Sequence, residues 1–255
     1  MPRKAVKTTI GNPFTELSTV DSTNIYAMEQ IQANLAVHGA AFFAREQTAG
    51  KGQRGKHWEA IPGENILLSV VLNTRFLVIT QQFHLSVMVA LACYDFLELY
   101  ITDELSIKWP NDLYWRDRKT AGILIETNLS GNKWPWAVAG IGINVNQTKF
   151  ANLDKKAASL KQITGKSHDP IELAKALCGF LEIRYQQLKA NGFPPLLQLY
   201  RERLYKKGCT VKLKKDNIIA DYTIQSVAEN GDLIVEAGIE QQFAHGTVEW
   251  VLPLK

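Results

Sequence analysis

The spacing of hydrophobic residues changes several times along the first hundred residues, and each change predicts a different element. Between residues 21 and 35, apolar side chains recur every three or four positions after a run of capping residues, which predicts a helix. Compact apolar runs at residues 40–44 and 65–72 predict buried strands. The mostly apolar segment 81–100 is too long for an ordinary strand and predicts a buried helix.

The middle of the chain continues with strands and then becomes helical. Residues 107–109 should be extended, because the proline that follows disfavours a helical conformation in the residue before it. Apolar runs at 121–126 and 137–145 flank the polar segment 130–132 and predict a hairpin. Helical spacing over 171–188 and 195–205 predicts two further helices.

From Gly208 onward, the pattern is one of short strands separated by turn residues. The predicted strands are 209–213, 222–227, 233–235 and 247–252, and the Asn-Gly-Asp turn at 230–232 is typical of a hairpin. We therefore predict an α+β chain divided into a domain at 1–205 and a small β module at 206–255. A module of about 50 residues is near the lower limit for independent stability, so we expect it to pack on the larger domain.

Composition adds few constraints to this picture. The 255 residues are 46% hydrophobic, enough for one large core, and the net charge of +4 is too small to indicate nucleic-acid binding. A mild positive charge suits an anionic small substrate or an acidic partner. The three widely spaced cysteines are expected to be packing residues in a reducing compartment. No signal peptide or membrane span is predicted, so we expect a soluble cytoplasmic protein.

A loop at residues 50–56 combines glycines with cationic side chains. Its three glycines match a dinucleotide-binding motif, but that motif requires a helix directly after it, and here a strand follows. Backbone N–H groups among glycines, together with cations, can instead surround phosphates. Without a ligand such a loop should be mobile, because it has few apolar anchors. The remaining alternative is an ordinary surface loop.

Four further segments have the composition of a ligand site. Residues 108–114 place a carboxylate at a tight turn, and residues 118–126 place a lysine before a strand that starts with two small residues. In 140–146, two glycines and Asn144 alternate onto one face of a strand and leave a groove. Residues 21–24 form a helix start, which attracts anions. Ordinary turns, a plain cap or close packing remain alternatives for each segment.

Taken in this order, the five segments resemble the biotin protein ligases. The motifs cover roughly residues 15–150, and Lys-Trp-Pro-Asn-Asp together with Arg-Lys-Thr-Ala-Gly-Ile-Leu is the most specific part. The resemblance implies a class II synthetase-like domain, with a mixed β-sheet flanked by helices, and a C-terminal SH3-like β-barrel. It also implies that ATP activates biotin to biotinyl-5′-AMP, with Mg²⁺ bound to the phosphates. Biotin is then transferred to a lysine in the carrier domain of a carboxylase.

The resemblance also implies roles for individual residues. Catalytic roles are implied for Lys119, Asp112 and Arg54, with Asp112 near the acceptor lysine. Biotin contacts are implied for Ser22, Thr23, Asn24, Gln47, Gly50, Lys51, Gly52, Gln53, Lys119, Gly122 and Gly140. ATP contacts are implied for Arg54, Lys56, Trp58, Lys119 and Asn144, and no protein metal ligand is implied.

The loop departs from the family pattern at three positions. Lys51, Gln53 and Lys56 stand where the family often has arginine. Lysine lacks the bidentate fork of arginine, and glutamine carries no charge, so retention of the adenylate should differ.

Two other functions remain as alternatives: a lipoate or octanoate ligase or transferase of the same fold, and a non-catalytic biotin sensor. A DNA-binding helix-turn-helix does not fit before Ser22, so we expect no operator binding. The sequence leaves monomer and homodimer equally open.

Overall fold

The computed structural model describes residues 9–130, 133–150 and 156–251, and its main element is a seven-stranded sheet. Its strands are β1 (Phe14–Val20), β2 (Ala41–Gln47), β3 (Asn65–Asn73), β4 (Leu105–Lys108), β5 (Asp112–Trp115), β6 (Arg118–Ser130) and β7 (Lys133–Asn144). The helices are α1 (Thr23–Gln32), α2 (Gln82–Leu97), α3 (Leu160–Thr164), α4 (Pro170–Asn191) and α5 (Pro194–Glu202). A smaller sheet contains β8 (Thr210–Lys215), β9 (Ile218–Val227), β10 (Leu233–Ala237), β11 (Ile239–Phe243) and β12 (Glu249–Val251).

The large sheet is mixed, as expected. Its strand order is β1-β2-β3-β7-β6-β5-β4; β1 and β2 run parallel, and the other neighbouring strands run antiparallel. Helix α1 connects the two parallel strands. Parallel neighbours end at the same edge of a sheet, so Val20 at the end of β1 pairs with Gln47 at the end of β2. The start of α1 therefore lies beside the end of β2.

One face of the large sheet carries the main hydrophobic core. Strand side chains alternate between faces, so Leu68, Ile123 and Ile141 point together into a cluster shared with helices α2 and α4. Most of helix α2 is buried, including Met88 and Leu91, and this explains why apolar residues occur around the whole helix.

The opposite face is only partly covered. Ala27 and Ile31 of α1 pack on Val71 and Val138 in a second, smaller apolar cluster. The glycines of β6 and β7 occupy the uncovered part of the same face, and they form the floor of the cavity considered below.

The smaller sheet packs on the larger domain, as expected. Its apolar residues, such as Leu213 and Ile224, belong to the same buried cluster as the core of the large sheet. Trp109 Nε1 donates to the carbonyl oxygen of Gly231 at 2.8 Å across the contact. The strand order β11-β10-β9-β8-β12 is consistent with an SH3-like module, but the pairings among the described residues leave an open sheet, not a closed barrel. The division at residue 206 stays a prediction.

Two helices are shorter than predicted. The helix expected over 21–35 ends at Gln32, and Asn34 adopts a positive φ of 57°. The helix expected over 195–205 ends at Glu202, because the following residues pair with β4: Ile107 N donates to Arg203 O, and Tyr205 N to Ile107 O.

Strands β1, β5 and β11 were not predicted, and the strand pair β6–β7 is longer than the predicted hairpin. Of the loop predicted at 130–132, residues 131 and 132 lie outside the described residues, as does residue 252 at the end of the last predicted strand.

The cysteines are only partly as expected. Cys93 and Cys178 are buried packing residues, and burial raises the pKa of the Cys178 thiol to about 12. Cys209 is exposed, so the packing role predicted for it is wrong. No helix within the described ranges is both long and apolar enough to cross a membrane.

Candidate active site

The floor of a cavity is formed by backbone where β3, β7 and β6 meet. Gly122 and Gly142 are paired across β6 and β7, and Gly140 is paired with Ser69 of β3. A Cβ atom at Gly140 would collide with the Asn24 amide, lying 2.8 Å from its Cγ. A Cβ at Gly142 would lie 2.6 Å from Trp58 Cζ2. Glycine is thus the residue that admits both side chains against the sheet.

The start of α1 forms one end of this cavity. Gln47 Oε1 accepts hydrogen bonds from Thr23 N at 2.8 Å and Thr23 Oγ1 at 3.0 Å. Ser22 occupies the N-cap position, yet among the described residues its hydroxyl makes no capping hydrogen bond. The predicted cap is therefore positional only, and the buried Ser22 side chain lines the cavity.

Two residues that sequence reasoning missed fix the Asn24 amide. Ser69 Oγ donates to Asn24 Oδ1 at 2.6 Å, and Asn24 Nδ2 donates to Glu126 Oε2 at 2.7 Å. Because the oxygen and nitrogen of the amide have different partners, its orientation is fixed. The other carboxylate oxygen of Glu126 lies 4.0 Å from Lys51 Nζ of the glycine loop.

The glycine loop folds back on itself as a small hairpin. Trp58 N donates to Gly50 O at 2.9 Å, and Gly52 N donates to Lys56 O at 2.7 Å. Gly50 is needed here because a Cβ would contact the Trp58 backbone carbonyl. The Trp58 ring consequently lies over Gly142 and Gly122. Arg54 adopts a positive φ of 56° and extends to Gly246 of the small module.

Asp112 and Lys119 form an ion pair, and the Lys119 side chain lines this cavity. Lys119 Nζ lies 2.7 Å from Asp112 Oδ1, and both side chains are partly buried. The register brings them together, because Asp112 opens β5 opposite Gly122 of β6. Lys119 Nζ also lies 5.4 Å from the Trp58 ring, within the range of a cation–π contact.

A second, larger cavity lies between the large sheet and the small module. It has an empty volume of about 2020 Å³ including its open mouth, against about 460 Å³ for the first. Trp58 and Lys119 line both cavities, so they lie where the two meet. The lysine and arginine side chains that line the second cavity are Arg54, Lys56, Lys108, Lys119 and Lys156. Such a concentration of positive charge favours a polyanion.

Asn144 lies at this second cavity, but its amide donors are already used. Its Nδ2 donates to Lys119 O at 3.3 Å and to Ala158 O at 3.2 Å. Asn144 therefore ties the start of β6 to the segment before α3, and its carbonyl oxygen is the atom left for a ligand.

The family is decided by comparison with known proteins. The model of the biotin/lipoate A/B protein ligase family matches residues 17–144, which contain the glycine floor, the loop and the Asp112–Lys119 pair. The chain belongs to this family. Biotin–[acetyl-CoA-carboxylase] ligase of Paracoccus denitrificans is 30% identical over 233 residues, covering 89% of this chain and 95% of that protein.

Other members of the biotin/lipoate A/B protein ligase family extend the match. The Mycobacterium tuberculosis biotin–[acetyl-CoA-carboxylase] ligase is 32% identical over 196 residues, covering 76% of this chain and 71% of that protein. The structure of Aquifex aeolicus biotin protein ligase in complex with biotin and ATP superposes with a TM-score of 0.78 at 26% identity. The superposition covers 92% of this chain and 97% of the Aquifex aeolicus chain.

In this ligase-family chain, the predicted site residues line the two cavities, and Gly52, Gln53, Trp58 and Lys119 line both. The first cavity is lined by the residues predicted for biotin, with the exception of Gly50: Ser22, Thr23, Asn24, Gln47, Lys51, Gly52, Gln53, Lys119, Gly122 and Gly140. The second is lined by those predicted for ATP: Arg54, Lys56, Trp58, Lys119 and Asn144. Gly50 supports the loop through its backbone. The individual roles stay predictions.

Proposed function

We propose that this chain is an ATP-dependent biotin ligase that forms biotinyl-5′-AMP and transfers biotin to a lysine in the carrier domain of a carboxylase. The observation that supports this most strongly is the junction of a small, glycine-floored cavity with a large cationic one at Lys119. A carboxylate held in the first would meet a phosphate held in the second at that junction.

The first cavity suits the bicyclic ring of biotin. Its floor offers backbone and apolar contact, and the ureido group needs hydrogen-bond donors and acceptors at one end. Thr23, Asn24 and Gln47 supply hydroxyl and amide groups at that end. We assign biotin contacts to Ser22, Thr23, Asn24, Gln47, Gly50, Lys51, Gly52, Gln53, Lys119, Gly122 and Gly140.

The second cavity suits ATP. We assign its phosphates to Arg54, Lys56 and Lys119, its adenine to Trp58, and a further contact to the Asn144 carbonyl oxygen. Within the described residues, no group of three His, Cys, Asp or Glu side chains is placed to hold a metal ion. Mg²⁺ would therefore be held mainly by phosphate oxygens and water, which are its preferred ligands.

Adenylation requires two anions to react. The carboxylate of biotin attacks the α-phosphorus of ATP, a new C(=O)O–P bond forms, and pyrophosphate leaves with the electrons of the broken P–O bond. Cations fixed in advance offset the repulsion without rearranging during the reaction. We assign this role to Lys119, and its ion pair with Asp112 at the junction of the cavities supports the assignment.

Transfer requires an acceptor lysine to reach the acyl carbon. We propose that Asp112 orients the incoming amine, since the Asp112 oxygen not bonded to Lys119 can accept a hydrogen bond. The glycine loop, folded over the floor by Gly50 and Trp58, would exclude water from the reactive anhydride.

Lipoate or octanoate transfer within the same family is the nearest alternative. A linear acyl chain has no ureido group, so it would make no use of the hydroxyl and amide groups of Thr23, Asn24 and Gln47 that line one end of the first cavity. A non-catalytic biotin sensor would not need the cationic second cavity.

The deciding experiment measures pyrophosphate release with Mg²⁺-ATP in the presence and absence of biotin, then adds a biotin carrier domain. We expect biotin-dependent release and label on the carrier lysine, unaffected by excess lipoate. Release stimulated by lipoate or octanoate in place of biotin would favour the alternative, and no release with any acid would favour a sensor.

Four further points stay proposals: the division at residue 206, a cytoplasmic location, a monomer or homodimer, and the lack of operator binding. Size-exclusion chromatography with light scattering measures the assembly. A gel shift with promoter DNA measures operator binding, and a sequence-specific complex would refute that prediction.

A further inference from the structure

Lys108 is a buried cation that no part of the proposed mechanism uses. It ends β4 and is only 9% exposed, yet it lines the second cavity. Its Nζ donates to Tyr114 OH at 3.2 Å. Within the described ranges, Lys108 has no carboxylate at ion-pair distance, because Asp112, its cross-strand neighbour, is paired with Lys119.

The small module completes the enclosure of this lysine. Lys108 Nζ lies 4.7 Å from the Tyr114 ring centre and 5.3 Å from that of Trp250 on β12. Tyr205 packs against both aromatic rings and fills the space behind them. The ammonium is therefore held against aromatic rings from two different sheets, and Lys108 lines the cavity between them.

Burial and two neighbouring lysines disfavour the charged form of Lys108. Burial lowers the pKa of the Lys108 ammonium to about 8; Asp112 opposes this shift, whereas Lys119 and Lys56 add to it. The charged and titratable groups that act on it are Asp112 and Tyr114 from β5, Lys119 from β6 and Lys56 from the glycine loop, and Glu249 from β12 lines the same cavity.

We propose that Lys108 is a proton-exchanging catalytic residue, held charged while a polyphosphate occupies the second cavity and able to release its proton once pyrophosphate has left. The proposal rests on the function proposed above. A polyphosphate beside the amine adds negative charge and favours the ammonium. Its departure leaves the adenylate with a single phosphate charge, so the surrounding cations again favour the neutral amine.

The neutral amine has a specific use in the second half-reaction. The acceptor lysine arrives as an ammonium, and one N–H proton passes to the neutral Nζ of Lys108, giving a neutral acceptor and a Lys108 ammonium. The acceptor nitrogen then bonds to the acyl carbon, and the C–O bond to phosphate breaks, with AMP taking the electron pair. The second nitrogen proton leaves to the phosphate or solvent. An amine is a far stronger base than the neighbouring Asp112 carboxylate.

Lys108→Arg separates the positive charge of this residue from its ability to exchange a proton, because an arginine keeps the charge but does not deprotonate. The assay follows single-turnover transfer from preformed adenylate to a carrier domain across about pH 6 to 10. In the unaltered chain we expect the transfer rate to level off above a midpoint near 8. In Lys108→Arg that midpoint should disappear, and transfer near neutral pH should fall on the order of a hundredfold more than biotin-dependent pyrophosphate exchange.

Trp250→Ala provides a second variant that leaves Lys108 in place. Water then reaches the ammonium, so the midpoint should move upward, toward the ordinary lysine value of about 10.4. Trp250→Phe keeps a ring face and should move it less. Lys212→Arg, an exposed change on the small module that keeps its positive charge, is the matched control and should leave both half-reactions unaltered.

The outcomes separate this inference from the proposed function. An unchanged midpoint in Lys108→Arg, or an equal loss in both half-reactions, would overturn the inference alone. If Lys108→Arg does not fold, an unchanged midpoint in Trp250→Ala would overturn it. No biotin-dependent exchange in the unaltered chain would overturn the proposed function, and the inference with it.

Discussion

Gly140→Ala tests the glycine floor most directly. The added methyl group would meet the Asn24 amide, so Asn24 must rotate away and give up its bonds to Glu126 and Ser69. A hydrogen bond to a charged group contributes about 1.5–3 kcal/mol and a neutral one about 0.5–1.5 kcal/mol. Biotin that needs the original Asn24 position must therefore overcome about 2–4.5 kcal/mol.

At about 1.4 kcal/mol for each factor of ten, this corresponds to a biotin KM raised by roughly 30- to 1600-fold. The assay is biotin-dependent pyrophosphate exchange with biotin and ATP varied separately, with thermal unfolding as a check on the fold. Gly142→Ala is the matched control. It adds the same methyl group on the same face two residues away, but it meets Trp58 instead of Asn24. We expect it to raise the KM for ATP more than that for biotin.

A double-mutant cycle decides whether the collision is the cause. In an Asn24→Ala background the opposing amide is gone, so Gly140→Ala should cost less than about 0.5 kcal/mol, and the two changes should be strongly non-additive. If Gly140→Ala is as harmful in that background as in the unaltered chain, the steric explanation is wrong.

Three further experiments test other residues of the site. Asp112→Asn should slow transfer from preformed adenylate at least about tenfold, since the amine loses a charged hydrogen-bond acceptor; an unchanged single-turnover rate would refute that role. Biotin with ATP should protect the 50–56 loop from trypsin, and equal cleavage with and without ligands would count against loop closure. Gln53→Arg should slow the release of adenylate by about two- to tenfold, because arginine adds a cation that can bind phosphate through two hydrogen bonds. Filter binding measures the release rate. An unchanged rate would show that residue 53 does not face the phosphate.

Much of the site follows from local sequence rules. Strand alternation alone places Gly140, Gly142 and Asn144 on one face, and the register of β7 agrees. The capping residues at 21–24 also lie at the start of a helix, as expected. These features depend on neighbours within a few residues, which a sequence pattern records.

The residues that sequence reasoning missed depend on long-range contacts. Glu126 matters because it meets Asn24, which is 102 positions away, and Lys108 because Trp250 of the small module covers it. No local periodicity in the sequence predicts either contact. Strand β1 was missed for a related reason: its sequence, FTELSTV, is mixed in polarity because it is an edge strand that is never fully buried.

The glycine floor also has a consequence for entropy. Long side chains that line a pocket lose rotamer freedom when a ligand immobilises them, at about 0.5–1.5 kcal/mol each. Gly122, Gly140 and Gly142 have no rotamers to lose, and their backbone is already fixed by pairing within the sheet. The surface beneath the ligand is thus ordered before binding, and the ordering that remains falls on the loop above it.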